Sequence, residues 1–148
     1  MTTTVSRILL VEEEPVLLEI TAFRLELLGY EVVTRGSSEE ALEWLQADLP
    51  DLLIVGHYLP GMDGIDMINR LSNDTRTSNL PVMLLSANTD LDDVQKAYNA
   101  GAAEFTVTPY DPAVLEQKVQ GLALAGAEAQ LAFPAMRSTA ATINSYTD

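Results

Sequence analysis

Three groups of side chains in this chain are of types that carry chemistry in other proteins. The acidic run Glu12-Glu13-Glu14 follows the apolar segment ILLV and could hold a divalent cation, because hard cations prefer carboxylate oxygens. His57 follows the segment LLIV, is the only histidine, and could act as a base or take a phosphoryl group. Ser86 follows the segment VMLL and supplies a hydroxyl. All three groups therefore stand where an apolar run ends.

Each group also has a plainer interpretation, which we favour. A run of acids with no further ligand indicates a solvated acidic rim, and a lone loop histidine indicates polar surface. Ser86 has no general base close to it in the sequence, so it is interpreted as a turn hydroxyl or a vestigial ligand. Asp63, in the turn MDG, has its simplest role in capping a helix. We therefore expect no catalytic residue and no enzymatic activity.

These groups are positioned by short apolar runs that alternate with helix-like segments. The runs are Ile8–Val11, Val32–Thr34, Leu52–Val55, Val82–Leu85 and Phe105–Val107. They lack polar alternation, as is typical of parallel strands buried on both faces. The order predicts an α/β fold with a five-stranded parallel sheet, doubly wound as (βα)5, and ligands in such sheets lie at the carboxyl ends of the strands.

Capping signals mark where the helices begin. They stand at Pro15, at Ser37 with Glu40, at Asp63, near Thr89 and at Asp111-Pro112. On the first helix, which Gly29 ends, one apolar face is marked by Val16, Ile20, Phe23 and Leu27. Such a stripe usually packs against a core.

Composition excludes several classes of function. The chain has 148 residues and no cysteine, which excludes disulfides, zinc–thiolate sites and thiol catalysis. Twenty-two acids against eight bases give a net charge of −14, which disfavours binding to nucleic acid phosphates. No stretch suits a secretory signal or a membrane span, so we expect a cytoplasmic protein with no membrane partner.

The amino-acid composition changes towards the end of the chain. Residues 6–125 form the predicted domain, and residues 126–148 form a predicted C-terminal extension rich in Ala, Ser and Thr. Within the extension, AEAQLAFPAM favours a helical continuation and STAATINSYTD a polar tail. The extension is therefore expected to be part helical or disordered.

Four motifs, in order and at matching spacing, resemble the response-regulator receiver domain of two-component signalling. They are RILLVEEEP, PDLLIVGHYLPGMDG, LPVMLLSA and GAAEFTVTPYDP, and the resemblance covers roughly residues 6–125. It implies a flavodoxin-like receiver fold. It also implies an acidic pair that holds Mg²⁺, matched by Glu12 and Glu13, a hydroxyl that bonds the phosphoryl group, matched by Ser86, and a switch aromatic, matched by Phe105.

Two family positions depart from the pattern. The phospho-accepting aspartate of the family lies four residues before the proline of the LPG loop, and that position is Gly56. The family has a lysine just before the fifth-strand proline, and the residue at that position in this chain is Thr108. Loss of the carboxylate and loss of the cation relieve each other, because a buried lysine without a partner is costly. The resemblance thus implies a degenerate pseudo-receiver with no cofactor and with Mg²⁺ binding that is weak or absent.

The predicted function is that of a phosphorylation-independent, atypical receiver domain acting as a protein-interaction module in bacterial-type signalling. By resemblance, its surface spans Asp90–Ala100 with Phe105–Gly121, and Tyr98, Tyr110 and Lys118 are candidate contacts. The partner would be another signalling protein, a histidine kinase or a downstream regulator. Homodimerisation through the fourth helix, fifth strand and fifth helix also fits.

Two alternatives stay open. In the first, the chain is a phospho-accepting regulator or an enzyme that uses a non-standard residue: Glu13, His57 or a tail hydroxyl such as Ser138. In the second, it is a passive adaptor whose tail, AQLAFPAM, docks a partner.

Overall fold

The computed structural model describes the backbone of residues 6–132 and the side chains of residues 6–125. Within that range the chain alternates five strands with five helices, as the apolar runs predict. The strands are β1 (Arg7–Val11), β2 (Glu31–Arg35), β3 (Leu52–Gly56), β4 (Val82–Ser86) and β5 (Glu104–Val107). The helices are α1 (Pro15–Leu27), α2 (Ser38–Ala47), α3 (Gly64–Ser72), α4 (Leu91–Ala100) and α5 (Pro112–Ala132). The predicted (βα)5 order is confirmed.

The five strands form one parallel sheet in the order β2-β1-β3-β4-β5. β3 lies between β1 and β4 and is fully buried, which explains its uninterrupted apolar sequence. Because the strands are parallel, the carboxyl ends of β1, β3 and β4 are neighbours. The residues that follow these three strands are therefore brought to one edge of the sheet.

Successive residues of the central strands point to opposite faces and build two core layers. Leu9, Leu53 and Leu84 pack on one face beneath α2, α3 and α4. On the other face, Ile8, Leu10, Leu52, Ile54 and Met83 pack beneath α1 and α5. Phe105, which by resemblance matches the switch aromatic, belongs to the first layer and is 8% exposed, so it packs as a core residue.

Side-chain caps start the helices where the sequence places them. The Asp63 carboxylate accepts a hydrogen bond of 2.8 Å from the Asp66 amide and begins α3. Ser37 accepts from the Glu40 amide at the start of α2. The Glu14 carboxylate accepts from the amides of Val16 and Leu17 and caps α1. The third glutamate of the acidic run therefore has a structural role, because it satisfies amides that a helix leaves unpaired.

The face of α1 that packs on the sheet differs from the predicted one. Val16, Ile20, Phe23 and Leu27 are between 51% and 70% exposed. The residues of α1 that pack against the core are instead Leu18, Thr21, Ala22 and Leu25. The prediction was wrong because α1 carries two apolar stripes, and the periodicity of a helix does not say which of two stripes will meet the sheet.

The end of α5 crosses the predicted domain boundary at residue 125. The helix continues without interruption to Ala132. Residues 133–148, which include the predicted polar tail and Ser138, lie outside the described residues. None of the helices in the part of the chain that the structure describes is long and apolar enough to cross a membrane.

Candidate signalling site at the carboxyl end of the sheet

Gly56, the last residue of β3, faces the Glu12 side chain across the edge of the sheet. A Cβ atom added to Gly56 would lie inside van der Waals contact of Glu12 Oε1 and 3.3 Å from Glu12 Cδ. Glu12 Oε2 meanwhile accepts a 3.0 Å hydrogen bond from the Glu14 amide. The Glu12 carboxylate therefore fills the space into which a side chain at position 56 would project.

The Glu12 carboxyl is buried, and this changes its acidity. It is 9% exposed. Burial raises the pKa of Glu12 above its ordinary value, because the charged form loses hydration. Amide donors from Glu14 and Glu13 oppose the rise, while the negative charges of the Glu13 and Glu14 side chains add to it. The site thus holds a carboxyl group with an increased affinity for a proton.

His57 does not lie on the polar surface, so that interpretation was wrong. It is 6% exposed, and its Nδ1 atom lies 3.0 Å from Ser86 Oγ. The backbone fixes it: the His57 amide donates to the Leu85 carbonyl, and the His57 carbonyl accepts from the Gly64 amide, both at 2.8 Å. A Cβ on Gly64 would collide with the Gly56 carbonyl, so this close turn requires glycine there.

The His57–Ser86 pair was missed because the two residues are 29 positions apart in the sequence. The register of the sheet supplies the signal, since Gly56 is opposite Leu85 in the β3–β4 pair. The next residue on each strand is then His57 and Ser86. Nδ1 accepts from the hydroxyl in one imidazole tautomer and donates to it in the other, so the direction of this bond depends on the tautomer.

Further contacts join the loop after β3 to the loop after β4. The Tyr58 ring stacks on His57, with centroids 4.1 Å apart. The Asn88 side-chain amide donates to the Tyr58 hydroxyl at 3.0 Å and to Asp93 at 2.5 Å. The Asn88 backbone amide donates to Ser86 Oγ at 3.0 Å. Side-chain and backbone hydrogen bonds therefore hold the two loops together, and the connection reaches the first turn of α4.

The acidic residues of this edge do not converge on one point. Glu13 is exposed, whereas Glu12 is buried against Gly56. Within residues 6–125, no group of three or more His, Asp or Glu side chains has an arrangement that could hold a metal ion.

A second cluster lies at the edge of the sheet formed by β5. Lys118 Nζ donates to the Phe105 carbonyl at 2.5 Å and lies 3.5 Å from Glu104 Oε1. Burial raises the pKa of Tyr98, the Glu104 charge adds to the rise, and a hydrogen bond with the Phe105 backbone opposes it. Tyr98 of α4 and Lys118 of α5 thus meet around the same two residues of β5.

Tyr110 and Thr108 have other surroundings. The Tyr110 hydroxyl lies 2.6 Å from Thr21 Oγ1, and its ring packs with the layer beneath α1 and α5. The structure therefore joins Tyr98 and Lys118 but turns Tyr110 towards α1. Thr108 stands between β5 and α5, its amide donates to the Ser86 carbonyl at 2.9 Å, and the Thr108–Pro109 peptide is cis.

Comparison with known sequences agrees with this architecture. The chain matches the response regulator receiver domain over residues 8–120. The transcriptional regulatory protein CseB of Streptomyces coelicolor is 33% identical over 117 residues, 79% of this chain and 49% of that protein. The phosphate regulon transcriptional regulatory protein PhoB of Escherichia coli is 30% identical over 116 residues, 78% of this chain and 51% of that protein. The chain spans about half the length of the curated relatives it matches.

Solved structures share the fold. The signal receiver domain of a histidine kinase from Syntrophus aciditrophicus is 31% identical, with a TM-score of 0.77 over 81% of this chain and 91% of that one. The signal receiver domain of an HD domain-containing protein from Pseudomonas fluorescens is 26% identical, with a TM-score of 0.79 over 88% of this chain and 96% of that one. The arrangement of the strands, the family match and these likenesses agree, and the chain belongs to the response regulator receiver domain family.

Proposed function

We propose that this chain is a receiver domain that works without aspartyl phosphorylation, as a protein-interaction module of two-component signalling. The observation that carries the proposal is the contact between Gly56 and Glu12. The position that by resemblance accepts the phosphoryl group has no side chain, and the Glu12 carboxylate occupies the vacated space.

Phosphoryl transfer needs a nucleophile in line and positive charge around the transferring oxygens. Gly56 offers no nucleophile, and Thr108 offers no charge where the resemblance implies a lysine. Both deficits act on the same step. Restoring only one of them is therefore expected to leave transfer inefficient.

We also propose that Mg²⁺ binding is weak or absent. Mg²⁺ demands a near-octahedral set of oxygen ligands at short distances. Of the acidic pair, Glu12 is engaged with the Glu14 amide and turned towards Gly56, while Glu13 is exposed. These residues do not fit a magnesium site as they stand, and no step of the proposed function depends on one.

The His57–Ser86 bond supports a surface held in a single state. By resemblance, the hydroxyl after β4 would bond to a phosphoryl group and report its arrival. Here that hydroxyl already bonds to His57, and the connection continues through Asn88 to Asp93 on α4. A ligand shifts an equilibrium only through its differential affinity for two states. Because internal bonds already fix this loop in one conformation, a phosphoryl group could shift its conformational equilibrium very little.

The interaction surface of this proposal is the edge formed by α4, β5 and α5. Tyr98 is 44% exposed, and the charges of Glu104 and Lys118 lie beside it. An aromatic ring with a polar tip, flanked by both signs of charge, is typical of a contact patch between proteins. The partner is another signalling protein in the cytoplasm, a histidine kinase or a downstream regulator.

Intact-mass spectrometry of the purified chain with Mg²⁺ and acetyl phosphate tests the proposal. We expect no added phosphoryl mass. The matched gain-of-function control is the triple variant Glu12→Asp, Gly56→Asp and Thr108→Lys, which supplies an acceptor and a cation and shortens the acid that fills the space beside position 56. A stoichiometric adduct on the wild-type chain would overturn the proposal. Mapping that adduct to Glu13, His57 or a tail hydroxyl such as Ser138 would then establish the phospho-accepting alternative.

A further inference from the structure

The outer face of α1 carries a continuous apolar stripe. Its members are Val16 (58% exposed), Ile20 (51%), Phe23 (61%) and Leu27 (70%). The spacings between them are four, three and four residues. That is the 3.5-residue period of a coiled-coil seam, with Ile20 and Leu27 at a positions and Val16 and Phe23 at d positions.

This stripe is separate from the face that holds α1 on the sheet. Leu18, Thr21, Ala22 and Leu25 pack against the core, and they occupy the b, c and f positions of the same heptad. No residue of the part of the chain that the structure describes buries the stripe. Scattered exposed apolar residues need no explanation, but a contiguous row with heptad spacing indicates a surface that binds another helix.

The charges that flank the stripe distinguish between partners. Glu19 and Glu26 occupy g positions, and Arg24 occupies an e position. In a parallel pair of α1 helices, each Glu19 would face Arg24 of the other copy, because g residues pair with the e residue five positions on. In an antiparallel pair, g residues face g residues, and Glu19 would meet Glu26. The pattern favours a parallel pairing of α1 with itself.

Arg24 is placed to serve such a contact. Its Nε and Nη2 atoms bind Glu116 Oε2 at 3.1 and 2.8 Å, which holds the side chain against α5 and leaves Nη1 for a second carboxylate. Its side chain is 38% exposed. A guanidinium fixed by one carboxylate loses less conformational freedom when it binds another.

We propose that the outer face of α1 is a self-association surface, on which a second copy of this chain packs its own α1 in parallel. The two copies are then related by a twofold axis along the helices, and each surface meets itself. The seam extends over about two heptads, so the interface is small and the dimerised fraction depends on protein concentration. This surface is distinct from the edge formed by α4, β5 and α5. Self-association through α1 does not require phosphorylation of the chain.

Sedimentation equilibrium of the full chain over a wide concentration range tests the proposal. We expect a reversible monomer–dimer equilibrium that Phe23→Glu abolishes, because a carboxylate would be buried in the seam. The matched control is Leu49→Glu, an equally drastic change at a 41% exposed leucine between α2 and β3, outside both surfaces. We expect Leu49→Glu to dimerise as the wild type does. Leu91→Glu, at an 81% exposed leucine of α4, tests the edge formed by α4, β5 and α5 instead. A wild type that is monomeric throughout, or a dimer lost in Leu91→Glu and kept in Phe23→Glu, would overturn the proposal.

Cysteine cross-linking tests the orientation independently of the Phe23 variant. The chain has no native cysteine, so a single introduced one reports one position. In a parallel seam Ile20 lies opposite Ile20, and Ile20→Cys should form a disulfide-linked dimer under mild oxidation. Leu91→Cys should not. Failure of Ile20→Cys to cross-link, with linkage instead between Val16→Cys and Leu27→Cys chains, would establish an antiparallel pair and contradict the proposal.

Reversing the charge at position 19 should change the dimerisation affinity in opposite directions for the parallel and the antiparallel pair. In the parallel pair, Glu19→Lys places a lysine against Arg24 and should weaken dimerisation about tenfold or more. In an antiparallel pair the same change would relieve the repulsion between Glu19 and Glu26 and tighten the dimer. A tighter dimer would therefore overturn the parallel arrangement even if the α1 surface were correct.

Discussion

Two regions of this receiver domain differ in the side chains that they present. At the carboxyl end of the sheet, Gly56 and Thr108 occupy the two positions at which, by resemblance, an aspartate accepts the phosphoryl group and a lysine neutralises it. At the edge formed by α4, β5 and α5, a tyrosine, a lysine and a glutamate gather around Phe105. The first region has no carboxylate at position 56 and no cation at position 108, whereas the second combines an aromatic ring with both signs of charge.

The comparison indicates that a phosphorylation site and a contact surface place different requirements on their residues. A phosphorylation site needs several groups held in one geometry, so the loss of one group makes the others ineffective. A contact surface needs only shape and balanced charge. At the carboxyl end of the sheet, internal hydrogen bonds already join the loops after β3 and β4.

The largest effect concerns the acceptor position. We expect Gly56→Asp alone to remain unphosphorylated by acetyl phosphate, because Thr108 supplies no charge and Glu12 occupies the space that Asp would need. Gly56→Asp with Thr108→Lys should accept more phosphate, and the addition of Glu12→Asp still more. Intact-mass spectrometry measures each variant, and Gly56→Ala controls for the added volume. If the single variant were phosphorylated as well as the others, the two losses would not be coupled.

The next effect concerns the bond between the loops. His57→Ala should lower the free energy of unfolding by about 1–3 kcal/mol, because it leaves the buried Ser86 hydroxyl without this partner. Hydrogen exchange should also become faster in the loop after β4. Urea unfolding of His57→Ala, Ser86→Ala and the double variant would give the coupling between the two side chains. A coupling energy near zero would contradict a role for this bond in joining the loops.

Glu12 should make stability depend on pH. Burial raises the folded-state pKa of Glu12 above its ordinary value of 4.5, so the folded chain binds its proton more tightly than the unfolded chain does. The contribution is present below the ordinary pKa and is lost as pH rises through the folded-state pKa. Glu12→Gln, which cannot ionise, should therefore gain stability relative to wild type as pH rises from about 4 to 7. Urea unfolding at a series of pH values measures this, and a difference that stays flat would refute it.

The smallest effect concerns the contact edge. Lys118→Met should cost about 0.5–1 kcal/mol, because the ion pair with Glu104 is partly exposed and screened by solvent. Lys96→Met is a matched control, since Lys96 is 69% exposed and lies 4.0 Å from Asp93. It should change stability by no measurable amount. Thermal unfolding of both variants would check the order, and a loss in Lys118→Met of several kcal/mol would mean that the edge is structural core instead of surface.

The fold was predictable because its signals are local. The buried central strands appear as uninterrupted apolar runs, and Asp63 and Ser37 cap helices through amides only three residues away. The composition of α1 was informative but ambiguous. It places apolar residues on two sides, and only contact with the sheet decided that Leu18 and Leu25 are buried and Phe23 is exposed.

Three features could be read from the order of residues: the succession of strands and helices, the spacing of the family motifs, and the lack of a carboxylate at position 56 and of a cation at position 108. These are properties of residue identity and short-range period. Three contacts could be known only from the folded chain: Glu12 fills the space beside Gly56, His57 bonds to Ser86, and Tyr110 turns to Thr21. Such contacts join residues that are distant along the chain, and strand register and side-chain rotation, which the order of residues does not specify, bring them together.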